Sequence, residues 1–120
     1  MIGYHADLET ETKKNGYYRK SLFTGKYLQL VLMTLQPGEE VGMEVHPDKD
    51  QFFRIEEGTG QAILNGEVFN FKDGDGIIVP AGTRHNIINN SDKVLKFYTI
   101  YSTPDHEIGT LEETKADEKK

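Results

Sequence analysis

The sequence predicts an all-β fold, a double-sheet jelly roll, on three observations. Twelve glycines punctuate 120 residues. Val, Ile, Phe and Tyr gather in the short segments between them. Turn signals recur at the interval that short antiparallel strands require. A chain of this length suits one domain, expected here as residues 1–120, with a barrel core over about 22–102, an arm over 1–15 and a short polar tail over 104–120.

The arm, residues 1–15, is polar and unpatterned. Residues 17–23 alternate loosely and read as a strand. Thr24-Gly25 turns the chain into 27–35, a run apolar enough to be buried on both faces, and Pro37-Gly38 ends it. Further strands are expected at 42–46, 51–56, 60–64, 68–71, 76–79, 85–88 and 94–101. The turns between them are Glu57-Gly58, Asn65-Gly66, Asp73-Gly74, Ala81-Gly82 and Asn89-Asn90-Ser91. Asn65-Gly66 is the strongest hairpin signal, because a type I′ turn needs φ > 0 at both central residues. Beyond Pro104 the chain turns polar. Thr110 to Glu113 fits a capping box for a short helix, and 112–120 is expected to fray.

Composition excludes several classes. With no cysteine, a disulfide framework, thiol catalysis and a Cys-rich zinc site are ruled out, and the absence agrees with a cytoplasmic location. The N-terminal residues lack an apolar core flanked by positive charge, so no signal peptide is expected. No apolar run approaches the ~20 residues of a membrane span. The net charge of −6 disfavours nucleic acid, which is gripped through clustered Lys and Arg. The basic residues Lys13, Lys14, Arg19 and Lys20 are dispersed among aromatics and read as a solvated face.

The chemistry concentrates in two runs. Gly74 to Asn89 places Gly74, Pro80, Gly82, His85 and Asn89 at the spacing G-x5-P-x-G-x2-H-x3-N. Pro80-Ala81-Gly82 makes a tight turn, with Gly82 free to take φ > 0. His85 opens the next strand, and alternation puts Ile87 and Asn89 on its face. Upstream, Glu44 and His46 lie two apart and so share a strand face, with Met43 and Val45 on the other. After the turn at 47–50, Gln51, Phe53 and Ile55 share a face in the same way.

The spacing from Gly74 to Asn89 resembles the second motif of the cupin superfamily. The first cupin motif, G-x5-H-x-H-x3,4-E-x6-G, is matched in altered form by 38–58. Gly38 and Gly58 match the flanking glycines and His46 the second histidine; Glu44 stands in the first histidine's place and Gln51 in the glutamate's. The resemblance implies a cupin barrel with Glu44, His46, Gln51 and His85 as ligands of one divalent metal ion. Glu44, His46 and His85 match the two-His-one-carboxylate set associated with non-heme iron(II), and manganese, zinc or nickel also suits two nitrogens and two oxygens. In a barrel that has lost its metal, Glu44 and Gln51 would instead hydrogen-bond the two histidines. His5 and His106 fall outside both motifs and read as surface residues. Arg84 is placed either at the barrel mouth or in solvent. Tyr98 and Tyr101 either line the pocket or pack in the core.

The match extends over residues 15–115 and is nearest to short stand-alone bacterial cupins related to mannose-6-phosphate isomerase. It rests on the stretches 24–30, 44–56 and 98–101 with Pro104. In that subgroup the Glu-x-His…Gln arrangement is the rule. The chain departs from it at Arg84, where Trp is expected, and in a tail poorer in His, where Glu112 and Glu113 stand. Three functions follow as expectations: a metal-dependent isomerase or epimerase acting on a carbohydrate or related small molecule, a non-heme iron dioxygenase, and a non-catalytic small-ligand-binding cupin. A sugar-phosphate isomerase needs cations for the phosphate, and few stand beside the motifs (Lys49, Arg54 and Arg84), while the Glu44, His46, His85 set permits the dioxygenase. A homodimer is expected from the apolar content of 17–35, together with the habit of similar cupins of pairing through N-terminal strands.

Overall fold

The computed structural model describes residues 2–118. Nine strands form two antiparallel sheets, preceded by one short helix: α1 (Leu8–Lys14), β1 (Arg19–Thr24), β2 (Gln29–Leu35), β3 (Asp50–Glu57), β4 (Gly60–Leu64), β5 (Glu67–Phe71), β6 (Gly76–Val79), β7 (His85–Ile88), β8 (Leu95–Ser102) and β9 (Leu111–Glu112). The larger sheet runs β6-β3-β8-β2-β1-β9 and the smaller β5-β4-β7. The predicted jelly-roll architecture is present.

Alternation sets what faces inward. On β8 Leu95, Phe97, Thr99 and Tyr101 are buried while the residues between them are not; on β3 Gln51, Phe53 and Ile55 are buried. Their apolar members join Val31, Met33, Leu35, Val79 and Ile87 in one core between the sheets. Strand β2 is buried along nearly its whole length, as its apolar run predicts. Asn65 and Gly66 both take positive φ (49° and 84°), the hairpin geometry expected between β4 and β5. Gly82 takes φ 83° in the turn that delivers the chain to His85. Asn89 is fully buried; its amide donates to the carbonyls of Leu35 (3.1 Å) and Lys93 (2.8 Å), while its Oδ1 accepts from the Ser91 backbone (3.0 Å). It clamps the turn after β7.

Four expectations require correction. The arm is not unstructured throughout: α1 forms with Asp7 as N-cap, its carboxylate accepting from the Thr10 N–H at 3.2 Å. Glu9 and Glu11 occupy its first turn and Lys13 and Lys14 its last, the order the helix dipole favours. Residues 42–46 make no continuous strand. The chain meets β7 here through isolated bridges, Glu40 with Ile88 just before this stretch and Glu44 with His85 within it. The helix expected at 110–113 is instead β9, which pairs with β1 in the register Arg19 with Glu112; the capping pattern lies four residues later, where Asp117 Oδ2 accepts from the Thr114 N–H and hydroxyl (both 3.1 Å) ahead of a 3-10 turn at Lys115–Asp117. The tail is therefore ordered against the barrel as far as Glu118; Lys119 and Lys120, the end of the expected frayed segment, lie outside the described residues.

The fourth correction concerns Arg19. It does not share a solvated face with Lys13, Lys14 and Lys20. Its side chain is 2% exposed, paired with Glu112 and, at 3.1 Å, with Glu118. Of the apolar residues of 17–35, Tyr18, Val31, Leu32, Met33 and Leu35 are buried and Leu22, Phe23 and Leu30 half-buried. Tyr17, Tyr27 and Leu28 remain exposed.

Candidate metal centre

The bridge between Glu44 and His85 begins the site. The two residues exchange both backbone hydrogen bonds, each 2.9 Å, so their side chains leave one face side by side. His46 follows two residues after Glu44, on the same face, and its carbonyl accepts from the Gly82 N–H at 2.9 Å. Met43 and Val45 point outward and are exposed, as alternation predicts. Ligand-capable atoms of Glu44, His46 and His85 all lie within 4.8 Å of one another, and the two imidazole centroids are 5.4 Å apart.

Gln51 approaches from the larger sheet. It is buried, opposite Tyr101 in register, and its Nε2 donates to Thr99 Oγ1 at 2.9 Å. That bond fixes the amide with Oε1 free. Among the described residues, six buried side-chain polar atoms have no hydrogen-bond partner in the protein, and three of them are His46 Nε2, His85 Nε2 and Gln51 Oε1. A buried polar atom left unpaired costs about 1–3 kcal/mol, so three in two short motifs point to an absent partner. His85 also has its tautomer set: Nδ1 lies 2.9 Å from the Thr83 carbonyl, which can only accept, so Nδ1 carries the proton and Nε2 presents a lone pair. The alternative, in which Glu44 and Gln51 hydrogen-bond the histidines, is not what the geometry shows. Glu44 Oε1 stays 3.8 Å from His46 Nε2, and Gln51 bonds Thr99.

Burial dominates the electrostatics of the group. Burial raises the Glu44 carboxyl above its ordinary value, against the partial relief of His46 and Arg19. Burial also lowers His85, with a further push from His46, outweighing the Thr83 bond. Loss of water is the leading cause of both shifts, and a divalent ion among these atoms would compensate the carboxylate. The Glu44 side chain is 33% exposed and that of His46 12%, so the site opens to solvent on the Glu44 side. Two nitrogens, a carboxylate and an amide oxygen suit a divalent transition metal.

Tyr101 is buried and sets its ring edge-on to His46, with centroids 5.8 Å apart and planes at 89°. Tyr98 is on the opposite face of β8, against Phe52, and is not part of the site. The Arg84 side chain is exposed; its backbone N–H donates to Asn65 Oδ1. His5 is exposed, as expected. His106 is not a surface residue: its side chain is 18% exposed, its ring packs edge-on to Tyr101 at 5.3 Å, and its Nε2 is 3.3 Å from the Tyr101 hydroxyl. Asp105 beside it stands 3.6 Å from His46 Nδ1. Neither position carries a sequence signal beyond Pro104, which ends β8's continuation and directs the chain back across the barrel.

A barrel of two antiparallel sheets, with a strand-opening His and a Glu-x-His segment bringing together a group that could hold a metal ion, is the architecture of a cupin. The comparisons agree. Residues 31–101 match the cupin domain family, and the chain belongs to the cupin superfamily. It is 45% identical to Bacillus subtilis YrkC over 117 residues, 92% of this chain and 63% of that protein, so it spans less than two thirds of that relative. It is 46% identical to L612 of Acanthamoeba polyphaga mimivirus over 91% of this chain and 71% of that protein. The crystal structure of BH2720 from Bacillus halodurans superposes with a TM-score of 0.93 at 42% identity, covering 95% of this chain and 91% of that one. Among the described residues, no helix is long and apolar enough to cross a membrane.

Proposed function

We propose that the protein is a metal-dependent cupin enzyme acting on a carbohydrate or related small molecule, with Glu44, His46, Gln51 and His85 holding one divalent ion. The carrying observation is that ligand atoms of Glu44, His46 and His85 lie within 4.8 Å of one another, while His46 Nε2, His85 Nε2 and Gln51 Oε1 are buried with no hydrogen-bond partner in the protein. When bound, such an ion supplies a Lewis acid that polarises a substrate oxygen. A substrate would reach it from the part-exposed Glu44 side, and buried Tyr101 backs the His46 ring from within. Isomerase or epimerase chemistry is favoured by the resemblance of 24–30 and 44–56 to cupins related to mannose-6-phosphate isomerase. A second reading, a non-heme iron dioxygenase, is favoured by one observation: Glu44, His46 and His85 alone form a two-His-one-carboxylate group.

Metal analysis of freshly purified protein tests both. Manganese or zinc near one per chain supports the first reading, oxygen-sensitive iron supports the second, and a metal-free barrel that takes up none of these removes both. Gln51→Glu is expected to hold a divalent metal at least as tightly as the wild type, because a carboxylate replaces the free Oε1 and the Thr99 hydroxyl can turn to donate. Markedly weaker binding in a competition titration would show that Gln51 serves through its N–H instead.

We also propose a homodimer. Tyr27 is 62% and Leu28 55% exposed, and with Tyr4, Phe23, Leu30 and Ile100 they line an apolar groove on the outer face of the larger sheet. Patches of this kind on proteins that work in water mark interfaces. Light scattering is expected to give about 27 kDa, twice the 13.6 kDa of the chain; a single-chain mass would refute the dimer.

A further inference from the structure

His46 has a carboxylate on each side of its ring. Glu44 Oε1 lies 3.8 Å from Nε2, within the group that can hold a metal, whereas Asp105 Oδ1 lies 3.6 Å from Nδ1, outside that group. The placement of Asp105 is built. Gln29, fully buried on β2, accepts the backbone N–H groups of both Asp105 and His106 on its Oε1, each at 2.9 Å. Its Nε2 donates to the His106 carbonyl at 2.8 Å and to Thr24 Oγ1 at 3.0 Å. One buried amide thus fastens the segment by three hydrogen bonds and leaves none of its own groups unpaired. The His106 ring, set on Tyr101, completes the anchorage.

We infer that Asp105 is a positioning residue for His46, holding the imidazole in the tautomer protonated at Nδ1 so that Nε2 stays bare toward the metal centre. A neutral imidazole can carry its proton on either nitrogen, and only the nitrogen without it can bind a metal. At 3.6 Å Asp105 acts through charge rather than a formed hydrogen bond, and its charge favours a proton on the nearer nitrogen. His85 reaches the same state by another device, its Nδ1 bonded to the Thr83 carbonyl. Both rings therefore have an acceptor behind Nδ1 and an unpartnered, buried Nε2 in front. Outer carboxylates of this kind orient the ring and raise its basicity, and their loss weakens metal binding about 10–100-fold. The inference rests on the metal reading above.

The test uses the full chain as wild type, Asp105→Asn and His85→Ala. Cobalt(II) affinity is measured by competition with a chelator, and the His46 ring nitrogens are read by 15N NMR in metal-free protein at a pH where the ring is neutral. In the wild type, Nδ1 should carry the proton. In Asp105→Asn, which keeps the side chain's shape and the Gln29 clamp, the proton should shift toward Nε2 and the cobalt Kd should rise about tenfold or more, with cobalt absorption bands of unchanged shape. Equal affinity in the two proteins overturns the inference. So does weakened binding with an unshifted tautomer, which would be a net-charge effect, or altered bands, which would make Asp105 a ligand. If the wild type binds no cobalt, or His85→Ala binds it as well as the wild type, the metal reading fails; the tautomer comparison still decides the role of Asp105.

Discussion

His85→Ala is expected to leave the purified protein nearly free of metal, with a dissociation constant at least about 100-fold higher, equivalent to about 2.7 kcal/mol. The size follows from what is lost. His85 is 2% exposed, has its tautomer set by Thr83, and presents the one ring nitrogen that faces both Glu44 and His46. Without it the set keeps one imidazole, a part-exposed carboxylate and a weak amide ligand, too few to outcompete water. Metal content after dialysis, measured beside the thermal midpoint of the metal-free proteins, separates ligand loss from misfolding. Equal metal content in the two proteins would remove His85 from the site. Acidity should act in the same direction, because an imidazole must be neutral to bind. Burial lowers His85 below its ordinary 6.5, so proton competition at that ring sets in at lower pH than for a free imidazole. The contribution of His85 to affinity should therefore hold through neutral pH and fall once the pH drops beneath 6.5 toward the lowered value.

Much of this site was legible in the sequence, and the legible parts share a cause. Glu44, His46, Gln51 and His85 sit on or beside extended segments, where period-two alternation decides the face of each side chain and fixed-φ turns such as 80–82 decide where the segment begins. Local rules therefore reach nearly to the candidate site. They stop where position depends on distant partners. Arg19 reads locally as one more basic residue on an alternating strand; only the return of the tail, bringing Glu112 into register with it, makes it buried. Asp105 and His106 lie beyond the last long strand, and they are placed by Gln29, which is 76 residues from Asp105 in sequence. Helix α1 is a different case. Asp7, Glu9, Glu11, Lys13 and Lys14 spell out a cap and a favourable charge order, but Leu8 is the helix's one large apolar residue, so no hydrophobic period announces it. Its C-terminal turn is held from outside, by Lys96 Nζ donating to the Lys13 carbonyl at 2.6 Å.

Glu112→Ala is expected to destabilise the fold by about 3 kcal/mol, the lower end of the cost of breaking a buried ion pair by removing one partner. Arg19 is always charged, and its side chain and that of Glu112 are 2% and 5% exposed. The mutation strands the guanidinium against the remaining Glu118, whose carboxylate it must share with Tyr18 (2.9 Å) and Lys115. Lys115 also donates to the Val41 carbonyl at 3.0 Å, so the network fastens the tail both to β1 and to the segment leading to Glu44. A urea titration should show a lower midpoint with an unchanged slope. Loss of under about 1 kcal/mol would mean the pair behaves as a solvent-screened surface contact. Replacing both partners, as Arg19→Met with Glu112→Leu, should recover much of the loss, since the strongest penalty is an uncompensated charge rather than a missing attraction. Acid should reach the same network through Glu118. Burial alone would raise its carboxyl, but hydrogen bonds from Lys115, Tyr18 and Arg19 outweigh burial and hold it below its ordinary value of 4.5. A carboxyl depressed in the folded state contributes stability that is complete above 4.5 and lost as the pH falls through the folded value. Glu118→Gln should therefore flatten the acid limb of the stability profile while lowering stability at neutral pH.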